Sequence, residues 1–243
     1  MNFLVKSVAA LLVICAVGLV VLIGYFVWHY GYAIDLPDHR KLATVSAGES
    51  ICVRGDGERT FVPLGAIPPM VRGAFLAAEE PDFYGRSPLN PLAQFVASVL
   101  FDRTPPSSTI SAEVTRCLLM SSGAEWGGKE REWQISNAIV MHRVERDLTK
   151  DLIFEVYLNE VFLGRRANGV SAAAKAYFGK SLSQLTLDEA AYLAAIARAP
   201  SLFGRDTALA FERRNFVIGR MAEVGAISPA EAASAKQQPL IVK

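Results

Sequence analysis

The strongest constraint on the fold of this chain is an uncharged, apolar run near its start. Residues 8–28 have the sequence VAALLVICAVGLVVLIGYFVW. About 20 apolar residues are what an α-helix needs to cross a bilayer, and Tyr25 and Trp28 resemble interfacial aromatic residues. The alternative is a cleaved signal peptide, whose apolar region is usually about 7–15 residues long and precedes a small-x-small cleavage site. Because the run is longer and no clean site follows it, we predict a retained transmembrane helix.

The predicted helix divides the chain into four segments. We expect a cytoplasmic N-terminus at residues 1–7, the transmembrane helix at 8–28, a polar stalk at 29–48 and one domain at 49–243. The length of 243 residues is sufficient for a domain and an anchor. The formal net charge of +1 lacks the basic excess of nucleic-acid-binding proteins, so we expect no nucleic-acid partner.

The three cysteines form no CxxC pair, which argues against a zinc site or a disulfide framework. Cys52 and Cys117 lie far apart in sequence, and a bridge between them would require an oxidising compartment. The sequence leaves open whether they pair.

The pattern after the apolar run is mainly helical. β-prone residues flank Asp56-Gly57, which predicts a short β-hairpin. Pro68-Pro69 precedes a helix with an apolar face. Capping boxes at Thr186-Leu-Asp-Glu189 and Ser228-Pro-Ala-Glu231 mark two later helix starts. We therefore predict a mainly α domain with one short β-hairpin.

A group of carboxylates follows the first helix of this domain. Glu79, Glu80 and Asp82 lie between an apolar helix and a Pro/Gly loop. A carboxylate beside apolar groups can have a raised pKa and act as a general base or acid. The alternative is a solvated helix end, which this pattern alone favours because most charge runs are exposed.

The surrounding motifs resemble those of glycosyltransferase family 51, the peptidoglycan polymerases. Residues 62–80 are similar to the segment that leads into the first family motif, Glu-Asp-x-x-Phe-x-x-His. Glu79 and Phe83 match this motif, whereas Glu80 replaces its Asp and Arg86 replaces its His. The resemblance implies that Glu79 is the catalytic base and that Phe83 and Arg86 contact the substrate.

The second family motif is Gly-Gly-Ser-Thr-Ile-Thr-Gln-Gln-x-x-Lys-Asn. This chain keeps Ser108, Thr109 and Ile110, and Arg116 replaces the lysine, but both glutamines and the asparagine are lost. The resemblance implies that Arg116 stabilises a diphosphate leaving group, since a guanidinium pairs well with phosphate oxygens. Ser108 and Thr109 would donate hydrogen bonds to phosphate or sugar. As alternatives, Arg116 is a surface arginine and Thr109 is a helix cap.

The later motifs are more similar to the family, and the resemblance covers about residues 60–240. Residues 150–159 match Lys-x-x-Ile-x-Glu-x-Tyr-Leu-Asn. We interpret Glu155 in this motif as a structural partner for a buried cation such as Lys150, because buried charges are normally paired. One departure is Asn137, which stands where the family has its second important glutamate.

The resemblance implies a lysozyme-like, two-lobed, α-rich glycosyltransferase domain that joins lipid II units into glycan strands and releases a polyprenyl diphosphate. No cofactor is implied for certain, and a divalent cation, Mg²⁺ or Mn²⁺, at the diphosphate stays open. The implied partners are lipid II, the growing strand, the membrane, and a transpeptidase or other cell-wall synthesis protein. The implied location is the extracytoplasmic side of a bacterial inner membrane.

Two other functions remain open. Asn137 and the lost glutamines and histidine also suit a family member that binds lipid II or a partner enzyme without turnover. A cleaving enzyme of the lysozyme type would use a glutamate in an α-rich lobe. Cleavage usually needs a second carboxylate, which the sequence does not place.

Overall fold

The computed structural model describes residues 2–29, 36–46, 49–52, 57–87, 110–122, 130–203 and 205–243. The α-helices are α1 (Asn2–Trp28), α2 (Pro69–Glu79), α3 (Ile110–Ser121), α4 (Glu130–Asp147), α5 (Lys150–Glu160), α6 (Val170–Phe178), α7 (Leu187–Ile196), α8 (Pro200–Phe203), α9 (Thr207–Glu223) and α10 (Pro229–Gln237). The strands are β1 (Glu58–Arg59) and β2 (Ala167–Asn168), and short 3-10 helices cover His39–Thr44, Leu64–Ala66 and Leu182–Gln184. The prediction of a mainly α chain is confirmed.

The chain divides into two compact units, Met1–Pro37 and Asp38–Lys243. The first unit contains α1. Across the described residues, no helix combines the length and the apolar character that a membrane crossing requires. The second unit begins at Asp38 and includes the 3-10 helix at His39–Thr44. The end of the segment predicted as a stalk, residues 29–48, therefore belongs to the larger unit.

The centre of the larger unit is α7, in which every residue from Ala190 to Ile196 is buried. Helices α2 and α9 pack against α7 and against each other. The many alanines of α7 let these helices approach closely, because the distance between packed helices depends on the side chains at the contact. A second group of helices, α3, α4 and α5, also packs together.

The strands β1 and β2 pair in parallel and are separated in sequence by α2 to α5. Residues 53–56, which contain Asp56 and the strand before the expected turn, lie outside the described residues, so the predicted hairpin stays a prediction. Gly57 lies where two chain segments approach each other closely. A side chain at Gly57 would lie 2.8 Å from the carbonyl oxygen of Arg166 and would also meet the Asn168 side chain, so the position favours glycine.

Polar side chains of α5 bind the main chain of the segment that precedes α2. Asn159 accepts a hydrogen bond from the Val62 N–H at 2.7 Å and donates one to the Val62 carbonyl at 2.9 Å. Glu155 accepts one from the Leu64 N–H at 2.6 Å. Glu155 is therefore structural, but among the described residues its bonded partner is a backbone N–H rather than a cation such as Lys150.

A disulfide joins Cys52 to Cys117, with the Cα atoms 4.9 Å apart. Glu160 holds the same segment, because its carboxylate accepts hydrogen bonds from the Cys52 N–H at 3.0 Å and the Ser50 hydroxyl at 2.7 Å. The third cysteine, Cys15, is free and exposed. The pairing that the sequence leaves open is thus present, and it ties the start of the larger unit to α3.

The predicted starts of three helices are confirmed. Helix α2 has Pro69 in its first turn. Helix α7 follows Thr186, whose N–H donates to the Glu189 carboxylate at 2.9 Å. Helix α10 follows Ser228, whose N–H donates to Glu231 at 2.7 Å and whose hydroxyl accepts from the Glu231 N–H at 3.2 Å.

Candidate active site

Glu79 is the last residue of α2 and is half-buried. The apolar face of α2, which includes the fully buried Phe75, holds the helix against the core. Phe75 packs edge-on against Tyr157 of α5, with the ring centroids 6.2 Å apart. Because this contact lies one turn before Glu79, it holds the carboxyl end of α2 beside α5.

The negative charge of Glu79 acts on groups of two other helices. Burial raises the pKa of the Tyr157 hydroxyl well above its usual value, and the charges of Glu79 and of Glu113 on α3 raise it further. Burial lowers the pKa of Arg213 on α9, Arg198 lowers it further, and Glu79 opposes both. These two carboxylates, two arginines and one buried hydroxyl therefore interact electrostatically. We call them the Glu79 cluster.

Helix α9 supplies two adjacent arginines with different surroundings. The guanidinium of Arg213 lies 4.7 Å from the ring centroid of Phe216, and its buried Nε has no hydrogen-bond partner among the described residues. Arg214 is fully buried and donates to the carbonyl of Gln238 at 2.9 Å. Successive side chains of a helix point roughly 100° apart. Arg214 can therefore lie in the core while Arg213 interacts with the Glu79 cluster. Both arginines lie within the part of the sequence that resembles the family, but the sequence alone does not separate these roles.

Arg116, the predicted diphosphate ligand, is held by Glu113 one turn earlier on α3. Its Nε and Nη2 lie 3.0 and 2.5 Å from the two carboxylate oxygens of Glu113. The side chains of Arg116 and Glu113 are 38% and 29% exposed. This fork geometry is the one that a guanidinium uses with a carboxylate or a phosphate. Since Glu113 belongs to the Glu79 cluster, Arg116 lies at its edge.

Arg86 and Phe83, the other predicted substrate contacts, lie in the core. Phe83 is fully buried and Arg86 is 9% exposed. The Arg86 guanidinium forms ion pairs with Glu80 and Glu145 and lies 5.6 Å from the centroid of the Phe83 ring. Both side chains are thus packed among described core residues. They therefore have structural contacts in this structure, and their roles in substrate binding stay predictions.

The two ion pairs of Arg86 are part of a tetrad of Glu80, Arg86, Glu145 and Lys150, in which Lys150 is half-buried and the other three side chains are buried. Lys150 forms the third ion pair, with Glu145. The second oxygen of Glu80 accepts the N–H of Ile110, the first residue of α3, at 3.0 Å. Buried charges are costly unless they are paired, and here two cations match two carboxylates. The tetrad thus fixes the end of α2 to the start of α3.

Three other positions from the family motifs are Ser108, Thr109 and Asn137. Ser108 and Thr109 lie outside the described residues, so their roles in substrate binding stay predictions. Asn137 lies on α4, and its buried side-chain oxygen accepts no hydrogen bond from the described residues. Within the described part of the chain, no three His, Cys, Asp or Glu side chains are grouped as a metal site. A divalent cation at the diphosphate stays a prediction.

Comparison with known proteins identifies relatives of the whole domain. A family described as Transglycosylase matches residues 47–222. Penicillin-binding protein 1A of Rickettsia felis is 32% identical over 260 residues, which cover 99% of this chain and 32% of that protein. Penicillin-binding protein 1A of Escherichia coli (strain K12) is 39% identical over 189 residues, which cover 74% and 21%.

A crystal structure of penicillin-binding protein 1A from Haemophilus influenzae has 27% sequence identity and a TM-score of 0.46, and the match covers 78% of this chain and 19% of that chain. The chain thus spans about a third or less of the length of these relatives. The family match includes all of α2, α3, α5 and α7, and it reaches residue 222 of α9. On this match, the chain belongs to the transglycosylase family, glycosyltransferase family 51.

Proposed function

We propose that this domain polymerises lipid II into peptidoglycan glycan strands, with Glu79 as the general base. Glu79 takes the proton from the hydroxyl of the acceptor sugar. The resulting oxygen attacks the anomeric carbon of the growing chain. A carbon–oxygen bond forms there as the bond to the lipid diphosphate breaks, and the polyprenyl diphosphate leaves with its electron pair.

The observation that carries this proposal is the Glu79 cluster. A half-buried carboxylate at the family's catalytic position interacts with a half-buried arginine of a different helix, Arg213. The leaving diphosphate concentrates negative charge, and cations that are already in place stabilise such charge in the transition state. Arg116 is the proposed diphosphate ligand because its guanidinium has the fork that phosphate oxygens match. Arg213 and Arg198 would add to the positive potential.

A lipid-linked substrate would place the domain at the extracytoplasmic face of a bacterial inner membrane. Finished peptidoglycan is cross-linked as well as polymerised, so we propose a transpeptidase or another cell-wall synthesis protein as a partner. A lysozyme-like, two-lobed arrangement would assign the α2–α7–α9 group and the α3–α4–α5 group to different lobes.

A second candidate function is binding of lipid II without turnover. Asn137 carries no ionisable carboxylate where the family has a glutamate, and its buried oxygen accepts no hydrogen bond from the described residues. Asn137 can therefore neither take up a proton nor supply a negative charge there. A domain that keeps the cluster but lacks this group would still bind the precursor.

Incubating the purified protein with lipid II tests both functions, with Glu79→Gln as the matched variant. Glycan polymer from the wild type and none from Glu79→Gln is the expected result. Absence of polymer from both proteins, with lipid II still bound, would refute polymerisation in favour of binding. Sugar fragments released from finished peptidoglycan would refute it in favour of cleavage.

A further inference from the structure

Glu113 is a carboxylate inside the proposed active site that the family resemblance does not supply. It stands at the position of the second glutamine in the family's second motif, Gln-Gln-x-x-Lys. An amide is neutral, whereas a carboxylate brings a negative charge to the place where a diphosphate would bind. The replacement of glutamine by glutamate therefore adds a negative charge to the site. The main contact of Glu113 shows which group this charge affects.

The main contact of Glu113 is the guanidinium of Arg116. Both carboxylate oxygens are engaged, at 3.0 Å from Nε and 2.5 Å from Nη2. Glu113 and Arg116 are three residues apart on α3 and thus lie on one face of the helix. The guanidinium edge that would bind two phosphate oxygens is thus occupied by two carboxylate oxygens of the same helix.

We propose that Glu113 is an internal competitor for Arg116 and sets how tightly this domain binds diphosphate-linked lipids. The inference rests on the proposed function. A prenyl diphosphate gains the full contact with Arg116 only when it displaces the Glu113 carboxylate. The displaced carboxylate then stands beside a second anion, which adds repulsion to the cost of breaking the pair.

The structure also indicates why Glu113 acts on ligand binding more than on folding. The Arg116 and Glu113 side chains are 38% and 29% exposed, and partly exposed ion pairs contribute little to stability. Glu113→Gln keeps the shape of the side chain and one acceptor oxygen for Arg116. This variant should therefore fold like the wild type and differ in the charge that a ligand meets.

The experiment measures binding of farnesyl diphosphate by calorimetry, at low and at physiological salt. The proteins are the wild type, Glu113→Gln, Arg116→Gln and the double variant. The matched control is Glu223→Gln, which removes one charge from another exposed pair of the same spacing, Arg220–Glu223, at 2.8 Å. Release of Arg116 from a pair worth about 1 kcal/mol corresponds to roughly a five-fold gain in affinity.

We expect Glu113→Gln to bind farnesyl diphosphate about five-fold more tightly than the wild type, with a smaller gain at higher salt. The gain should disappear when Arg116 is also changed, and Glu223→Gln should bind like the wild type. Unchanged or weaker binding by Glu113→Gln, a gain that persists without Arg116, or no binding by any of the proteins would overturn the proposal. Weaker polymerisation by Glu113→Gln without a gain in affinity would instead make Glu113 a replacement for the glutamate missing at Asn137.

The outcome is independent of whether the domain polymerises. A protein that makes no polymer, but whose Glu113→Gln variant gains affinity, supports the competitor role and refutes the proposed function. A protein that polymerises lipid II, but whose affinity for farnesyl diphosphate is insensitive to Glu113→Gln, supports the proposed function and refutes the competitor role.

Discussion

Changing Cys52 and Cys117 together to alanine opens a loop whose ends are 65 residues apart in sequence. The bridge stabilises the larger unit mainly because it restricts the unfolded chain. For a loop of this length, the chain-entropy relation gives about 4 kcal/mol at 25 °C. In a domain of roughly 200 residues each kcal/mol corresponds to about 2–4 °C, so we expect the melting temperature to fall by about 8–16 °C.

Guanidinium unfolding followed by circular dichroism measures the difference in the free energy of unfolding. The proteins compared are the oxidised wild type, the reduced wild type and the double variant. The reduced wild type and the double variant should unfold at the same midpoint, below that of the oxidised protein. A Cys15→Ala variant is the control, because Cys15 is free and its removal should change nothing. A loss under about 1 kcal/mol, or three titratable thiols in the unreduced protein, would refute the reasoning.

Two further predictions concern buried and capping charges. Arg86→Met leaves Glu80 and Glu145 without their shared partner and should lower the free energy of unfolding by about 3–5 kcal/mol; a denaturant midpoint equal to that of the wild type would contradict this. Hydrogen bonds from the Ser228 N–H and hydroxyl lower the pKa of Glu231, so its contribution to stability is complete above the unfolded pKa of about 4.3 and is lost as the pH falls through the lowered folded pKa. Glu231→Gln should therefore lose less stability than the wild type between about pH 6 and pH 3 in urea titrations, and equal losses would speak against this role of the cap.

The features that the sequence predicts correctly depend on residues close together in the chain. The capping boxes at Thr186 and Ser228 involve partners three residues later, so the pattern contains all the groups that take part. Pro69 begins α2 for an equally local reason, its fixed backbone dihedral. Family membership is predictable because many motifs keep their order, even though single positions diverge.

The features that the sequence misses depend on distant partners. The motif that contains Arg86 does not reveal its ion pairs, because one of its two carboxylate partners is 59 residues away. A motif records where a residue stands and not which groups enclose it. The close approach that favours glycine at position 57 involves the backbone at Arg166, which lies beyond α5 and cannot be read from the local pattern. For the same reason the sequence does not distinguish the roles of Arg213 and Arg214. Only the packing of α9 shows which of them is buried.

The docking of residues 62–64 along α5 has a consequence for insertions and deletions. The N–H groups of Val62 and Leu64 bond to Asn159 and Glu155, which are one helical turn apart. Two residues of extended chain cover about 6.6 Å and four residues of helix rise about 6 Å, so the two spacings agree. Pro63 between them has no N–H that would need a partner. Point substitutions that keep this backbone leave the bonds in place, whereas one added or removed residue between Val62 and Leu64 would break the match and shift the start of α2.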